Sequence, residues 1–395
     1  MAKEMSSLDD LISTILGQAI RERASDVHID PGATDVTVRF RIDGALQKKF
    51  VIPTYQYEPF LNRLKILSNL DISTHVAPQD GGFETDITLP KTDTESAETR
   101  HAAGRISLFT TINGEAAVIR VLNRSEMLIP LDKSDMSPQM IAQCRRLFSK
   151  NYGMVPVTGP SGSGKTTLLY TALKEITSEE KNIITLEDPV EYRFEGIRQI
   201  QIQPDQGLTF AAGMKSILRQ DPDVIMIGEI RDPETASYAI RASLIGRLVL
   251  STIHANTSLG TIARLLDMNI ERSLIAYALT GVIAKRLIRK ICPHCAAPYE
   301  PDPSTLKYFD IEAVNFEYRK GKGCEACNHT GYFDRIGVYE ILELDTPIRA
   351  LILDKAPMSA LEDYLAKAGV TTLKKDALAK VFSGLITIED AARTV

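Results

Sequence analysis

The sequence predicts an α/β protein centred on an open parallel sheet, with a mixed α+β unit before it and a cysteine module and helical region after it. Three observations lead there. Residues Gly159-Pro160-Ser161-Gly162-Ser163-Gly164-Lys165-Thr166 fit the pattern G-x-x-x-x-G-K-S/T, between one apolar run (Met154, Val155, Val157) and another (Leu168, Leu169, Tyr170). This is the strand, glycine loop and helix that the pattern requires. From that point strand-like runs alternate with helical ones, the order of a parallel α/β sheet. Four of the five cysteines form two C-x-x-C pairs, a spacing that suits a metal in a reducing compartment better than disulfides.

A chain of 395 residues exceeds what one core holds, so two or three domains are expected. Apolar residues make up 44% and charged residues 25%, with a net charge of −5 and pI near 5.8. That balance is ordinary for a soluble protein and argues against a general nucleic-acid binder. No basic-then-apolar N-terminal signal is present and no apolar run approaches the ~20 residues of a membrane span, so a cytoplasmic location is expected. Cys144 stands alone and reads as a small packed residue.

In chain order, Leu8, Leu11, Ile12, Ile15, Leu16, Ala19 and Ile20 recur at helical spacing over 8–24. Val27, Ile29, Val36, Val38, Phe40 and Ile42 then alternate with polar residues, and Asp43-Gly44 supplies a hairpin turn. Phe60 to Leu70 reads as helix. Ile87–Leu89 and Arg105–Phe109 read as strands around a polar tip, 91–100, and Asn113-Gly114 turns into a strand over 116–122. Residues 1–124 thus form the first unit and 125–137 a linker with alternating charge. The second unit, 138–290, starts with a helix at Pro138–Ser149. Its strands are expected at 154–158, 183–186, 199–203, 224–227 and 248–252, with helices at 165–177, 209–219, 233–243 and 260–266. A module of short strands over 291–334 and a helical region over 335–395 follow. Pro156 is anomalous, because it removes a ladder donor from a strand expected to be central.

The glycines let backbone N–H groups turn onto an anion, helped by the positive end of the next helix. Lys165 would reach the outer phosphates of a nucleoside triphosphate such as ATP, and the Thr166 hydroxyl is placed for Mg²⁺. Glu187 and Asp188 end one strand and Glu229 another, and in open α/β sheets ligands sit beyond those ends. Glu229, at the tip of an apolar strand, is the candidate for orienting water. Gly228 occupies a position where a Mg²⁺-holding aspartate is common, so metal would rest on Thr166, phosphate oxygens and water. Cys292, Cys295, Cys324 and Cys327, with 28 residues between the pairs, suit a closed, tetrahedral structural Zn²⁺ site. A nucleic-acid-binding zinc ribbon is the rival reading, supported only by the small basic patch Arg319-Lys320-Gly321-Lys322.

Several segments together resemble the type II secretion and type IV pilus assembly ATPases. They are Gly159 to Thr167, Thr185-Leu186-Glu187-Asp188-Pro189-Val190-Glu191, Leu218 to Asp223, Gly228-Glu229-Ile230-Arg231-Asp232 and Leu248 to His254, with Ala24 to Ile29, Val38 to Gly44 and Arg335 to Glu340 flanking them. The resemblance covers nearly the whole chain and is similar to the short, competence-pilus form. It implies a RecA-like P-loop core, a PAS-like N-terminal domain that closes on ATP with it, and a homo-hexameric ring working on an inner-membrane platform protein. Membrane association would then be peripheral, through partners, with no direct nucleic-acid contact. Carried over by motif, Gly159 to Thr167 hold the nucleotide, Glu187 and Asp188 form an acidic box, Glu229 polarises water and His254 belongs to a histidine box. Arg41 and Arg105 best match the arginines that approach the γ-phosphate in the family. One departure is Arg247, where the family usually has histidine. A retraction ATPase and a DNA-translocating hexamer remain the alternatives.

Overall fold

The structure, a computed structural model, describes residues 8–89, 98–122, 128–311 and 316–395. Two compact units divide the chain, Met1–Glu126 and Met127–Val395. The polar tip expected at 91–100 falls largely, and the first linker residues 125–127 entirely, outside the described residues.

The first unit runs α1 (Leu8–Arg21), β1 (Ala24–Pro31), β2 (Asp35–Ile42), β3 (Ala45–Pro53), α2 (Thr54–Leu67), β4 (Gln79–Leu89), β5 (Glu98–Thr111) and β6 (Gly114–Leu122). The strands form one antiparallel sheet in the order β3-β2-β1-β6-β5-β4. Leu11, Ile12, Ile15 and Leu16 of α1 share a core with Phe60, Leu61 and Leu64 of α2 and with Val27, Ile29 and Phe40 of the sheet. Asp43 and Gly44 both have positive φ (48° and 88°), as the tight β2–β3 turn requires. The second helix begins at Thr54 rather than Phe60. It ends at Leu67 rather than Leu70, is preceded by Pro53 as its N-cap, and contains Pro59. Beneath it Lys65, fully buried, lies 2.8 Å from a Glu115 carboxylate oxygen, and His75 Nδ1 is 2.9 Å from the other.

The second unit contains α3 (Pro138–Phe148), β7 (Gly153–Thr158), α4 (Lys165–Ile176), β8 (Ile183–Glu187), β9 (Ile197–Gln201), α5 (Phe210–Ile217), β10 (Val224–Ile230), α6 (Pro233–Leu244), β11 (Leu248–Ile253), α7 (Ser258–Asp267), α8 (Arg272–Ala278) and β12 (Gly281–Ile291). It continues with β13 (Ala296–Pro298), α9 (Pro303–Tyr308), β14 (Arg319–Gly321), β15 (Tyr332–Glu343), α10 (Thr346–Leu353), α11 (Met358–Lys367), α12 (Leu373–Phe382) and α13 (Ile388–Thr394). Seven strands form one sheet, β15-β12-β7-β11-β10-β8-β9, parallel except for β15. One face is packed by α5, α6, α7, α8, α10 and α11, the other by α3 and α4. A further core, with Ile288, Ile336, Leu373, Val381 and Ile388, joins β12 and β15 to α12 and α13.

Two expectations are corrected here. The ninth strand lies at 197–201, two residues earlier than read from sequence. The region after 290 does not begin with short strands only, because β12 extends to Ile291 and pairs with the twelve-residue β15 from Gly281↔Glu343 to Ile291↔Tyr332. The Pro156 anomaly also has an explanation. Gly153 N donates towards β11 (Arg247 O) and Met154 O accepts from Thr280 on the β12 side, so strand alternation turns Pro156 towards β12. There the ladder holds only Ile283↔Val157 and Ala284↔Thr158 after an isolated Met154↔Leu279 bridge. The missing donor falls in that gap.

Candidate functional site

The loop after β7 is shaped by three glycines in conformations that side chains avoid: Gly159, Gly162 and Gly164 have φ of 152°, 74° and 77°. Gly164 is the N-cap of α4, so the helix starts directly beneath the loop. Lys165 is buried, and its ammonium donates to the Gly159 and Pro160 carbonyls at 2.9 and 3.0 Å. Burial lowers its pKa, Glu229 opposes that shift and Arg286 adds to it. Ser163 Oγ is buried without a hydrogen-bond partner. An orphaned hydroxyl, a folded-back ammonium and three glycines at positive φ are what a phosphate-binding loop offers an anion. Thr166 and Thr167 are half-buried in the first turn of α4.

Opposite the loop stands Glu229. The register of β10 with β11 shifts between Ile227 and Ile230, and this irregularity sets Glu229 off from the apolar strand before it. Gly228 sits close against β8, where a Cβ would lie a tight 3.2 Å from Leu186 O. The Glu229 carboxylate is 2.6 Å from Arg231 Nε and 3.7 Å from His254 Nε2. Burial lowers the His254 pKa, Lys165 reinforces the shift and Glu229 opposes it, so the site disfavours the imidazolium. Lys165, Glu229 and His254 are therefore assembled at the carboxyl ends of β7, β10 and β11.

Three residues that the sequence did not single out, although Thr252 lies within the Leu248 to His254 segment, brace this assembly. Thr158 Oγ1 lies 2.9 Å from the Ile253 and Ala255 carbonyls and accepts from Ala255 N at 3.0 Å, tying the root of the loop to the segment carrying His254. Thr252 donates to Gly228 O at 2.6 Å and holds the irregular end of β10. Arg286, buried on β12, donates to Asn256 O. Small hydroxyls at strand ends carry no sequence signature of their own. Nearby, a cavity of about 740 Å³ opens beside Pro160, lined also by Arg286, Leu259, Leu365 and Leu373. It contains neither Lys165 nor Glu229.

Glu187 is placed differently from Glu229. It is 2% exposed and turned inward, accepting from Thr185 Oγ1 at 2.6 Å, from Gln199 Nε2 at 2.9 Å and from Tyr170 Oη. Its carboxylate ties β8 to β9 and α4. Asp188, the next residue, is exposed. Arg41 lies on β2 in the first unit, donating to Gly44 O at 3.0 Å and facing Asp26 at 3.8 Å. Arg105 lies on β5, opposite Gly82 and Arg120. Arg247 is at the other end of β11 from His254, paired with Asp221 at 3.0 Å.

The four cysteines converge. Cys292, Cys295, Cys324 and Cys327 have all sulfurs within 4.8 Å of one another, and the separations of 3.9, 3.9 and 3.7 Å suit a tetrahedral Zn²⁺ with Zn–S of about 2.3 Å. N–H groups of Gly323, Cys324 and Gly331 point at Cys295 and Cys327 sulfurs at 3.2–3.3 Å, the support that thiolate ligands need. Burial pushes Cys292 up to about 12. For Cys327 burial acts the same way, but the Cys324 and Gly331 N–H groups together with the Cys324 and Cys295 thiols outweigh it, leaving about 6.

The sequence matches the family model of the type II/IV secretion system protein over residues 1–393. The chain belongs to that family. It is 41% identical over 386 residues to the type II secretion system ATPase E of Vibrio cholerae, covering 97% of this chain and 74% of that protein. It is 39% identical to the type IV pilus assembly ATPase PilB of Myxococcus xanthus, covering 96% of this chain and 66% of the relative. A crystal structure of the pilus retraction motor PilT with bound ADP superposes with a TM-score of 0.65 at 26% identity, over 97% of this chain and 96% of that one. As a secretion-system family protein, the chain has the expected fold class: a RecA-like core, an antiparallel α+β N-terminal domain, a four-cysteine module and a C-terminal helical region.

Proposed function

We propose that this chain hydrolyses ATP to power assembly of pilin-like subunits in a type IV pilus, type II secretion or competence machine. One observation carries the reading: Lys165, Glu229 and His254 meet at the carboxyl ends of neighbouring parallel strands, where α/β sheets take their ligands. The relatives named as ATPases and the ADP in the PilT structure support it. Assembly is preferred to retraction because the 41% and 39% relatives carry secretion and assembly names, against 26% for the retraction motor.

In this reading the glycine loop, Gly159 to Thr167, takes the phosphates, and Lys165 leaves the Gly159 and Pro160 carbonyls for the outer phosphate oxygens. Glu229 orients the attacking water and receives its proton as the water oxygen bonds to the γ-phosphorus. The bond from that phosphorus to the bridging oxygen breaks, and ADP departs with the electron pair. His254 faces the same place, its Nε2 3.7 Å from the Glu229 carboxylate, with its charged form disfavoured by burial and Lys165. Thr166 would hold Mg²⁺, which when bound neutralises phosphate oxygens. Glu187 acts through Tyr170 and Gln199 to hold the floor of the site, and Asp188 faces water beside it. Arg41 and Arg105 enter on the family resemblance alone.

The four cysteines would hold a structural Zn²⁺. The finer domain division, with a linker at 125–137, a core at 138–290 and a zinc module from 291, belongs to the same proposal, but the helical region expected at 335–395 begins only at Thr346, because β15 crosses the 334/335 boundary and β12 the 290/291 boundary to pair in the main sheet. Among the described residues no helix is long and apolar enough to cross a membrane. We place the protein as a homo-hexamer at the cytoplasmic face of the inner membrane, held there by a platform protein. Mg²⁺-dependent phosphate release by the full chain tests the reading. Wild-type turnover that Lys165→Ala abolishes is expected, and unchanged turnover in that variant would refute it.

A further inference from the structure

Strand β12 passes directly behind the phosphate loop. Its parallel pairing with β7 ends at Ala284↔Thr158, so the next residues on the two chains are Lys285 and Gly159. A Cβ on Gly159 would lie 2.4 Å from Lys285 O, and one on Gly164 would lie 2.8 Å from Lys285 Nζ. Single residue Lys285 therefore occupies the space behind both the first and the last glycine of the loop. Its ammonium donates to Gly164 O at 3.0 Å, at the N-cap of α4.

The setting makes an unneeded lysine expensive. Lys285 is 6% exposed, and a buried ammonium is costly unless it is hydrogen-bonded or paired. Burial pushes it down to about 8, with Asp135 opposing that shift. Beneath it the Tyr339 ring lies 5.5 Å from Lys285 Nζ and 5.5 Å from Lys380 Nζ, and Lys380 is itself paired with Asp376 of α12 at 2.6 Å. Besides backbone N–H groups, Leu168 N on Gly164 O at 3.2 Å and Ser163 N on Pro160 O at 3.3 Å, two lysine ammonium groups hold the loop's carbonyls. Lys165 holds those of Gly159 and Pro160, and must release them to meet phosphate. Lys285 holds that of Gly164 from behind and has no such move to make.

We propose that Lys285 is a positioning residue for nucleotide: by holding the Gly164 carbonyl it keeps the loop in its anion-binding shape while Lys165 swings to the phosphates. This rests on reading the loop as the ATP site. The contribution is to binding in ground and transition states alike, so its loss raises KM and leaves kcat.

The experiment uses the full chain with Lys285→Met and Lys285→Gln, measuring the Kd of a fluorescent ADP with Mg²⁺, the KM and kcat for ATP, and thermal unfolding. Lys285→Met is expected to raise Kd and KM at least about tenfold, with kcat within about threefold of wild type. Lys285→Gln retains an N–H donor and is expected to fall between Met and wild type. If Lys285→Met does not fold, a Lys285→Gln Kd at least about threefold above wild type still supports the proposal. A Kd within about twofold of wild type in a folded variant, whatever its Tm, overturns it, as does a fall in kcat at unchanged KM. Wild-type chain that binds no nucleotide overturns the reading of the loop as well, so the two failures are distinguishable.

Discussion

The Glu229 carboxylate and His254 Nε2 lie 3.7 Å apart, on the ends of two adjacent parallel strands. Thr252 fixes one side of this relationship through Gly228 O, and Thr158 fixes the other through Ala255. The pair is thereby built into the sheet rather than carried on a free loop.

The first prediction concerns the charge on His254. Burial and Lys165 both disfavour the imidazolium, so His254 should titrate below its ordinary value of about 6.5. Removing the neighbouring cation weakens one of those causes, and Lys165→Ala should therefore move the titration upward. NMR titration of the imidazole C2–H signal measures both. A wild-type midpoint at or above the ordinary value, or a downward shift in Lys165→Ala, contradicts the arrangement.

Tyr170 tests the inward placement of Glu187. The phenol donates to Glu187 and also accepts from Glu191 N at 3.2 Å. Tyr170→Phe keeps the ring and deletes the donor, leaving a buried carboxylate one bond short at a cost of about 1–3 kcal/mol. Urea unfolding should show that loss. A variant as stable as wild type would mean the Glu187 network does not hold α4 against β8.

The cysteine cluster predicts one zinc per chain by elemental analysis. Replacing Cys292 with serine should release it, and chelation of the wild type should lower the thermal midpoint, because a closed site supplies folding energy. Protein purified without metal and unaffected in stability by added zinc contradicts a structural role.

Much of this was legible in the sequence because local rules and tertiary needs agreed. The glycine loop, its flanking strand and helix, the Asp43-Gly44 hairpin and the four cysteines each announce themselves by a pattern with a backbone or ligand reason behind it. Strand β12 did not, because Lys285 and Arg286 break its apolar run although both are buried. Their partners are loop carbonyls distant in sequence, which no window reveals. Glu187 and Glu229 look equivalent as strand-end acids, and only the positions of Tyr170, Thr185 and Gln199 turn one of them inward.

The central claim is that Glu229 activates water at a loop that binds ATP independently of it. Its most direct test is Glu229→Gln, which keeps the size of the side chain and one acceptor oxygen and removes the base. The variant should bind ATP with a Kd within about threefold of wild type while single-turnover hydrolysis falls by a factor on the order of 10² or more. Hydrolysis at the wild-type rate with ATP bound would contradict the account.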